Sequence, residues 1–118
     1  MPGTLTLILI LAGFAFGCGP RPNALEQLLV SGRYDEAITE GEKLLKEKPD
    51  DYGVMIVIGD AYFFKARKIN QDRGTSYTPE GAALAKKAID YYKRSMALHR
   101  SQRVEQKISN AGTLMSPP

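Results

Sequence analysis

Residues 53–64 read GVMIVIGDAYFF, and this stretch decides the fold. Its apolar side chains would cover most sides of a helix, which is typical of a helix packed between neighbours. The β-branched run 54–58 would also suit a strand. No other segment offers a strand with which it could pair. We therefore predict a helix from Tyr52 to about Lys68, within an all-α fold.

Start and stop signals predict four more helices around this one. Asn23, Thr78 and either Asp50 or Asp51 can supply capping side chains, and Pro79 suits a first helical position. Residues 69–77, INQDRGTSY, are predicted as a loop because Asn, Asp, Gly and Ser favour turns. The additional helices are predicted at 24–31, 34–48, 79–99 and 104–111.

Two parts of the chain are alike and repeat small residues at helical spacing. The first contains GRYDEAI at 32–38, and the second contains IGDAY at 58–62 followed by AIDYY at 88–92. Small residues let helix backbones approach closely, and tyrosines fill the adjacent holes. The candidate packing positions are Tyr34, Ala37, Gly59, Tyr62, Ala88 and Tyr92.

In this pattern the chain resembles the tetratricopeptide repeat, W-x2-L-G-x2-Y, then A-x3-F, then P, over about 34 residues. The resemblance implies antiparallel helix pairs stacked as a short solenoid at 23–112, with a flexible tail at 113–118. The second unit exceeds one repeat by about 17 residues, which predicts an insertion at about 66–82. About three repeats are needed for stability, so residues 104–111 cap the solenoid or the domain docks on a partner or a second copy.

The resemblance also implies a concave groove along the central helix. A groove with aromatic side chains would give a peptide or a neighbouring helix an apolar anchor. The alternative is that both phenylalanines belong to the core. The candidate groove residues are Ile56, Asp60, Phe63 and Phe64.

The chain begins with an apolar run, LTLILILAGFAF at 5–16, which ends on Gly17 and Cys18. A membrane-spanning helix needs about 20 residues, so a secretory signal is the better interpretation. With its single cysteine after a small residue, the segment resembles a lipoprotein signal peptide. This implies a signal at 1–17, a lipid on Cys18 and a Pro-rich tether at 18–22. An uncleaved anchor, plain secretion and a core helix are the alternatives.

Composition excludes several classes of site. The 118 residues are 43% hydrophobic and 25% charged, which is ordinary for one domain. A single cysteine and a single histidine, His99, exclude an internal disulfide framework and a Cys/His zinc site within one chain. We interpret His99 as a solvated residue at a helix end. No catalytic grouping or glycine-rich phosphate loop stands out, so we predict no enzyme activity, metal or cofactor.

Charge is uneven along a chain whose net charge is +3. Acidic residues outnumber basic ones in 21–64, and the reverse holds in 65–118. Lys86, Lys93 and Arg94 lie near two helical turns apart and form a candidate basic patch for an acidic protein or an anionic lipid surface. The alternative is an ordinary solvated helix face. Nucleic acid is not an expected partner.

Together these features predict a non-enzymatic protein–protein interaction scaffold. The two resemblances imply a lipid-anchored bacterial protein at the outer membrane, facing the periplasm, that binds envelope proteins or peptides during envelope assembly. The alternative is a small-molecule-binding accessory component of a transporter. In that case segment 66–82 would form a pocket with Phe63 and Phe64.

Overall fold

The computed structural model describes residues 22–118, which fold into five α-helices. These residues contain no strand, so the predicted all-α class is confirmed and the strand alternative for 54–58 is wrong. The signal segment 1–17, Cys18 and tether residues 19–21 lie outside the described residues. The helices are α1 (Pro22–Val30), α2 (Tyr34–Glu47), α3 (Tyr52–Asp72), α4 (Pro79–Leu98) and α5 (Gln102–Gly112).

The central helix α3 lies between α2 and α4, and both run antiparallel to it. Near the end of α3, Lys65 Nζ donates to Asp35 Oδ1 in the first turn of α2 at 2.6 Å. At the opposite end, the Tyr52 ring stacks on His99, just beyond α4, with ring centroids 4.5 Å apart. Consecutive helices therefore form antiparallel pairs, as predicted.

Two apolar clusters lie on either side of α3. Partly buried side chains of α3, among them Ile56 and Phe63, pack against the second cluster. Helix α3 is apolar on most sides because it contacts neighbouring helices in several directions. The first cluster consists of Leu25, Ala37, Ile38, Leu45, Val54, Met55, Val57, Ile58 and Ala61. The second consists of Ala88, Tyr92, Val104 and Ala111.

Two glycines of the central helices lie at close helix approaches. A Cβ atom on Gly41 of α2 would lie 2.5 Å from Ile58 Cγ1 of α3. A Cβ atom on Gly59 of α3 would lie 2.6 Å from Tyr92 Cε1 of α4. Any larger residue at either position would have to push α3 away from a neighbour or displace a packed side chain.

Side-chain caps begin the last three helices. Asp51, rather than Asp50, accepts a hydrogen bond from the Val54 amide at 3.1 Å. Thr78 Oγ1 accepts from the Gly81 amide at 2.8 Å. Ser101 Oγ accepts from the amide of residue 104 at 3.3 Å, so α5 begins two residues before its predicted start. Pro22 opens α1 instead of ending a tether, because proline loses no helical hydrogen bond at a first position.

The hairpin of α3 and α4 differs from the prediction: residues 69–77 are not all loop, and residues 66–82 do not form a separate insertion. Only residues 73–78 connect the two helices. Asn70 is buried, its Nδ2 donates to Ser76 O at 3.2 Å, and its Oδ1 accepts from Thr78 Oγ1 at 2.6 Å. Asn70 belongs to α3, and its side chain holds the turn through these two hydrogen bonds. The additional residues at 66–82 therefore extend α3 and α4.

Helix α5 packs on the α3–α4 hairpin with one apolar face. Val104 and Ala111 of this face are buried. Past the helix, the amides of Leu114 and Met115 donate to carbonyls three residues earlier at 3.0 and 3.1 Å, so turns continue into 113–118. The opposite face is exposed and polar: Gln102, Glu105, Gln106 and Ser109.

Candidate functional site

An open groove of about 440 Å³ runs along α3 between α1 and α5. Ile56, Val57 and Asp60 of α3 form its floor. Glu26 of α1 forms one wall, and the opposite wall comes from α5. The remaining lining residues are Gly53, His99, Ser101, Arg103, Val104 and Lys107.

Asp60 joins three helices at the centre of this groove. Its Oδ1 accepts a hydrogen bond from the Tyr92 hydroxyl of α4 at 2.6 Å. Lys107 Nζ of α5 donates to both carboxylate oxygens of Asp60, at 3.0 and 3.2 Å. Burial, with a smaller contribution from the Asp60 carboxylate, raises the pKa of the Tyr92 phenol far above its usual range. The phenol therefore remains a hydrogen-bond donor even at an alkaline pH at which an exposed tyrosine ionises.

A second cavity, of about 200 Å³, lies beside Phe63 and Phe64. Asp60 and Lys107 line both cavities, so their ion pair stands between the two. Asn110 of α5 is a further lining residue, whereas no residue of 66–82 lines this cavity. The cavity beside the two phenylalanines is therefore lined without segment 66–82, which continues α3 to residue 72 and begins α4 at residue 79.

The two phenylalanines contact different helices. Phe63 packs against the second apolar cluster, between α4 and α5. The Arg67 guanidinium carbon lies over the Phe63 ring, 5.5 Å from its centroid. Phe64 tilts against Tyr34 of α2, with ring centroids 6.1 Å apart. Both side chains are partly buried, so each combines core packing with a surface on the second cavity, and neither lines the groove as predicted.

The other predicted packing residues lie at helix contacts. Ala37, Ala88 and Tyr92 are fully buried. Tyr62 is partly buried and stacks on Tyr91, with ring centroids 6.0 Å apart. The Tyr91 hydroxyl donates to Glu42 Oε2 at 3.0 Å, which links α4 to α2.

The three residues of the candidate basic patch are all exposed on α4. Lys86 and Lys93 share one helix face, but the acidic Asp90 lies between them. The Arg94 guanidinium lies over the Tyr91 ring at 4.8 Å, towards α2. The structure therefore leaves Lys86 and Lys93 facing solvent and gives Arg94 an aromatic contact.

Sequence reasoning missed three residues of the groove walls: Glu26, Arg103 and Lys107. Arg103 and Lys107 are four residues apart and directly precede Val104 and Ile108 on the apolar stripe of α5. That spacing places both at the edge of the buried face, where a long basic side chain reaches the neighbouring helix. The position of these two basic residues beside the apolar stripe would have been enough to predict them as groove residues. The sequence around Glu26 has no comparable pattern.

The groove lining combines apolar and charged side chains. No group of three or more His, Cys, Asp or Glu residues within 22–118 could hold a metal ion. Apolar side chains, carboxylates and basic groups line a furrow that is open along α3. Such a mixture provides an apolar floor with polar contacts at its walls, which suits a bound polypeptide segment.

Comparisons of the chain with protein-family models, curated proteins and solved structures gave no match. Among the helices between residues 22 and 118, none combines the length and apolar character needed to span a membrane.

Replacing Tyr92 with Phe is expected to weaken the loss of stability at alkaline pH. The raised pKa of Tyr92 means that the folded state keeps a proton that the unfolded state loses above pH of about 10. Unfolding free energy then falls as pH rises, by up to about 1.4 kcal/mol per pH unit for one such group. The measurement is the free energy of urea unfolding between pH 9 and pH 11, compared with the unfolding free energy of the same variant at pH 7. An equally steep decline in Y92F would contradict the expectation.

Proposed function

We propose that the protein is a non-enzymatic interaction scaffold of the tetratricopeptide-repeat type, anchored to a membrane of the bacterial cell envelope. Its groove between α1 and α5 binds a segment of another envelope protein. The observation that carries the proposal is the furrow of about 440 Å³ whose floor is α3 and whose walls are two further helices. Residues of α1, α3 and α5 line it.

The nature of the groove lining supports a polypeptide ligand. Ile56, Val57 and Val104 supply apolar surface, while Glu26 and Arg103 offer charged contacts on opposite walls. Asp60 is held by Tyr92 and Lys107, so it serves the architecture of the groove. The rival function, binding of a small molecule for a transporter, is weakened because segment 66–82 does not line the cavity beside Phe63 and Phe64.

Site-specific photo-crosslinking from the groove tests this function. A photoreactive amino acid at Glu26, on the α1 wall of the groove, is expected to trap discrete protein partners in membranes of cells that produce the full chain. The same amino acid at Gln27 is the matched control, because it is also exposed on α1 but points about 100° away from Glu26 around the helix. Mass spectrometry of the adducts identifies the partners.

Equal adducts from Glu26 and Gln27 would show that the groove has no special role. If Glu26 gives no protein adduct while small metabolites raise the melting temperature, the accessory function in transport is favoured instead.

A further inference from the structure

We propose that one end of the domain rests on the bilayer, with Tyr52 and Leu98 at the lipid interface and the α3–α4 hairpin standing away from the membrane. We call this the proximal end and define it as residues 46–53 and 98–103. The inference rests on the membrane anchoring in the proposed function, and it adds an orientation and a lipid-contacting surface.

The direction of α1 places its first residue at the proximal end. Glu26 of α1 lines a cavity with Gly53, at the start of α3. After α1, Gly32 lines another cavity with Ile69, near the end of α3. Helix α1 therefore runs parallel to α3, and Pro22 lies about 6 Å beyond Glu26 towards the proximal end.

A short tether restricts how far this end can be from the membrane. From Cys18 to Pro22 the chain can span at most about 14 Å. A lipid on Cys18, or an anchor formed by the apolar run 5–16, would hold the proximal end nearest to the bilayer. The loop at 73–78 lies at the opposite end of α3, about 30 Å away.

Two exposed apolar side chains lie at the proximal end. Tyr52 is 41% exposed and Leu98 is 49% exposed, and neither belongs to an apolar cluster. The His99 ring stacks on Tyr52 with an angle of 9° between the ring planes. Tyrosine, with an apolar ring and a polar tip, favours the membrane–water interface.

Charge does not attract this end to anionic lipid. Its acidic side chains offset its basic ones: Glu47, Asp50, Asp51 and the nearby Glu26 and Glu105 against Lys46, Lys48, Arg100 and Arg103. The contact must therefore depend on apolar groups. Two such groups bind weakly from solution, but a short tether raises their effective concentration at the surface to the millimolar range. Docking thus requires the anchored chain and is insensitive to salt.

Fluorescence quenching on vesicles tests the orientation. The full anchored chain is reconstituted in phosphatidylcholine vesicles that contain a nitroxide on the lipid headgroup. A dye is attached through a cysteine introduced at Lys48, at Ser76 or at Lys86, and labelling stoichiometry verifies its position. We expect quenching at position 48 to be at least about twice that at position 76, because α3 separates them by about 30 Å. Changing salt from 0.1 to 1 M shortens the Debye length from about 10 to about 3 Å and should leave this ratio unchanged.

Substitution of the two docking residues tests their role. In the double variant Tyr52→Ser, Leu98→Ser, quenching at position 48 should fall to the level at position 76. The fraction of protein that sediments with the vesicles should not change. Val30→Ser is the matched control, since Val30 is 87% exposed but lies outside the proximal end. It should change neither quantity.

Three results would overturn the docking. Stronger quenching at position 86 than at position 48 would place the α4 face with Lys86 and Lys93 on the membrane. Equal quenching at all three positions in a chain that sediments with vesicles would refute a fixed orientation and leave the anchoring intact. A chain that does not sediment would refute the anchoring, and the docking with it.

Discussion

Replacing Gly59 with alanine is expected to lower the unfolding free energy by about 2–3 kcal/mol, although alanine favours helices more than glycine does. The new Cβ atom would lie 2.6 Å from Tyr92 Cε1 and 2.7 Å from Cδ1. The Tyr92 ring has no exposed surface, and its hydroxyl is bound to Asp60. The ring therefore cannot turn away, and α3 and α4 must separate.

Gly53→Ala is the matched control for this change, because it makes the same substitution in the same helix. The nearest atom to its Cβ would be Asp51 Oδ1 at 3.5 Å, an ordinary contact. We expect no loss, or a gain of up to about 1 kcal/mol from helix propensity. Thermal unfolding of both variants measures the effect, because each kcal/mol of unfolding free energy changes the melting temperature by roughly 4–8 °C. An equal melting temperature for the two variants would show that the Gly59–Tyr92 contact is not a tight one.

Cys18→Ala is expected to move the protein from the membrane to the soluble fraction, or to leave an unprocessed precursor. Cys18 is the only thiol of the chain, and the proposed anchor is a lipid attached to it. Acyl chains hold a protein at a bilayer through about 0.8 kcal/mol for each buried CH₂ group, so losing them removes the attachment almost completely. Cell fractionation and labelling with radioactive palmitate measure the change.

Pro20→Ala is the control for the cysteine, since it alters the tether but keeps the thiol. Its membrane fraction and palmitate label should match those of the unchanged protein. Palmitate labelling that survives Cys18→Ala would contradict the lipoprotein assignment. Retention in the membrane without palmitate would favour an uncleaved anchor formed by the apolar run 5–16.

Local sequence signals predicted the helices well. Thr78 and Asp51 accept hydrogen bonds from amides only three residues later, so their capping roles can be recognised from a few consecutive residues. The central helix was predictable because apolar residues on most sides of a helix require neighbours. The end of α3 was not predictable in the same way. The sequence INQDRGTSY favours turns, but the contacts of Asn70 with Ser76 and Thr78 keep its first four residues helical.

The candidate groove could be predicted only in part. Ile56 and Asp60 share one face of α3, and this follows from helical spacing alone. The partners of Asp60 do not follow from it, since Tyr92 and Lys107 are 32 and 47 residues away. Such contacts depend on how helices are placed against each other, which no local pattern specifies. For the same reason, the different directions of Phe63 and Phe64 emerge only from the structure.

The polar outer face of α5 limits the growth of the helix stack. Gln102, Glu105, Gln106 and Ser109 give a further helix no apolar surface to cover, so the stack does not grow in this direction. A second copy of the chain therefore finds no apolar face on the outer side of α5 on which to continue the stack. If, as proposed, the groove binds a partner and the chain is anchored, avidity for a multivalent partner depends on how densely the copies are spread in the plane of the membrane.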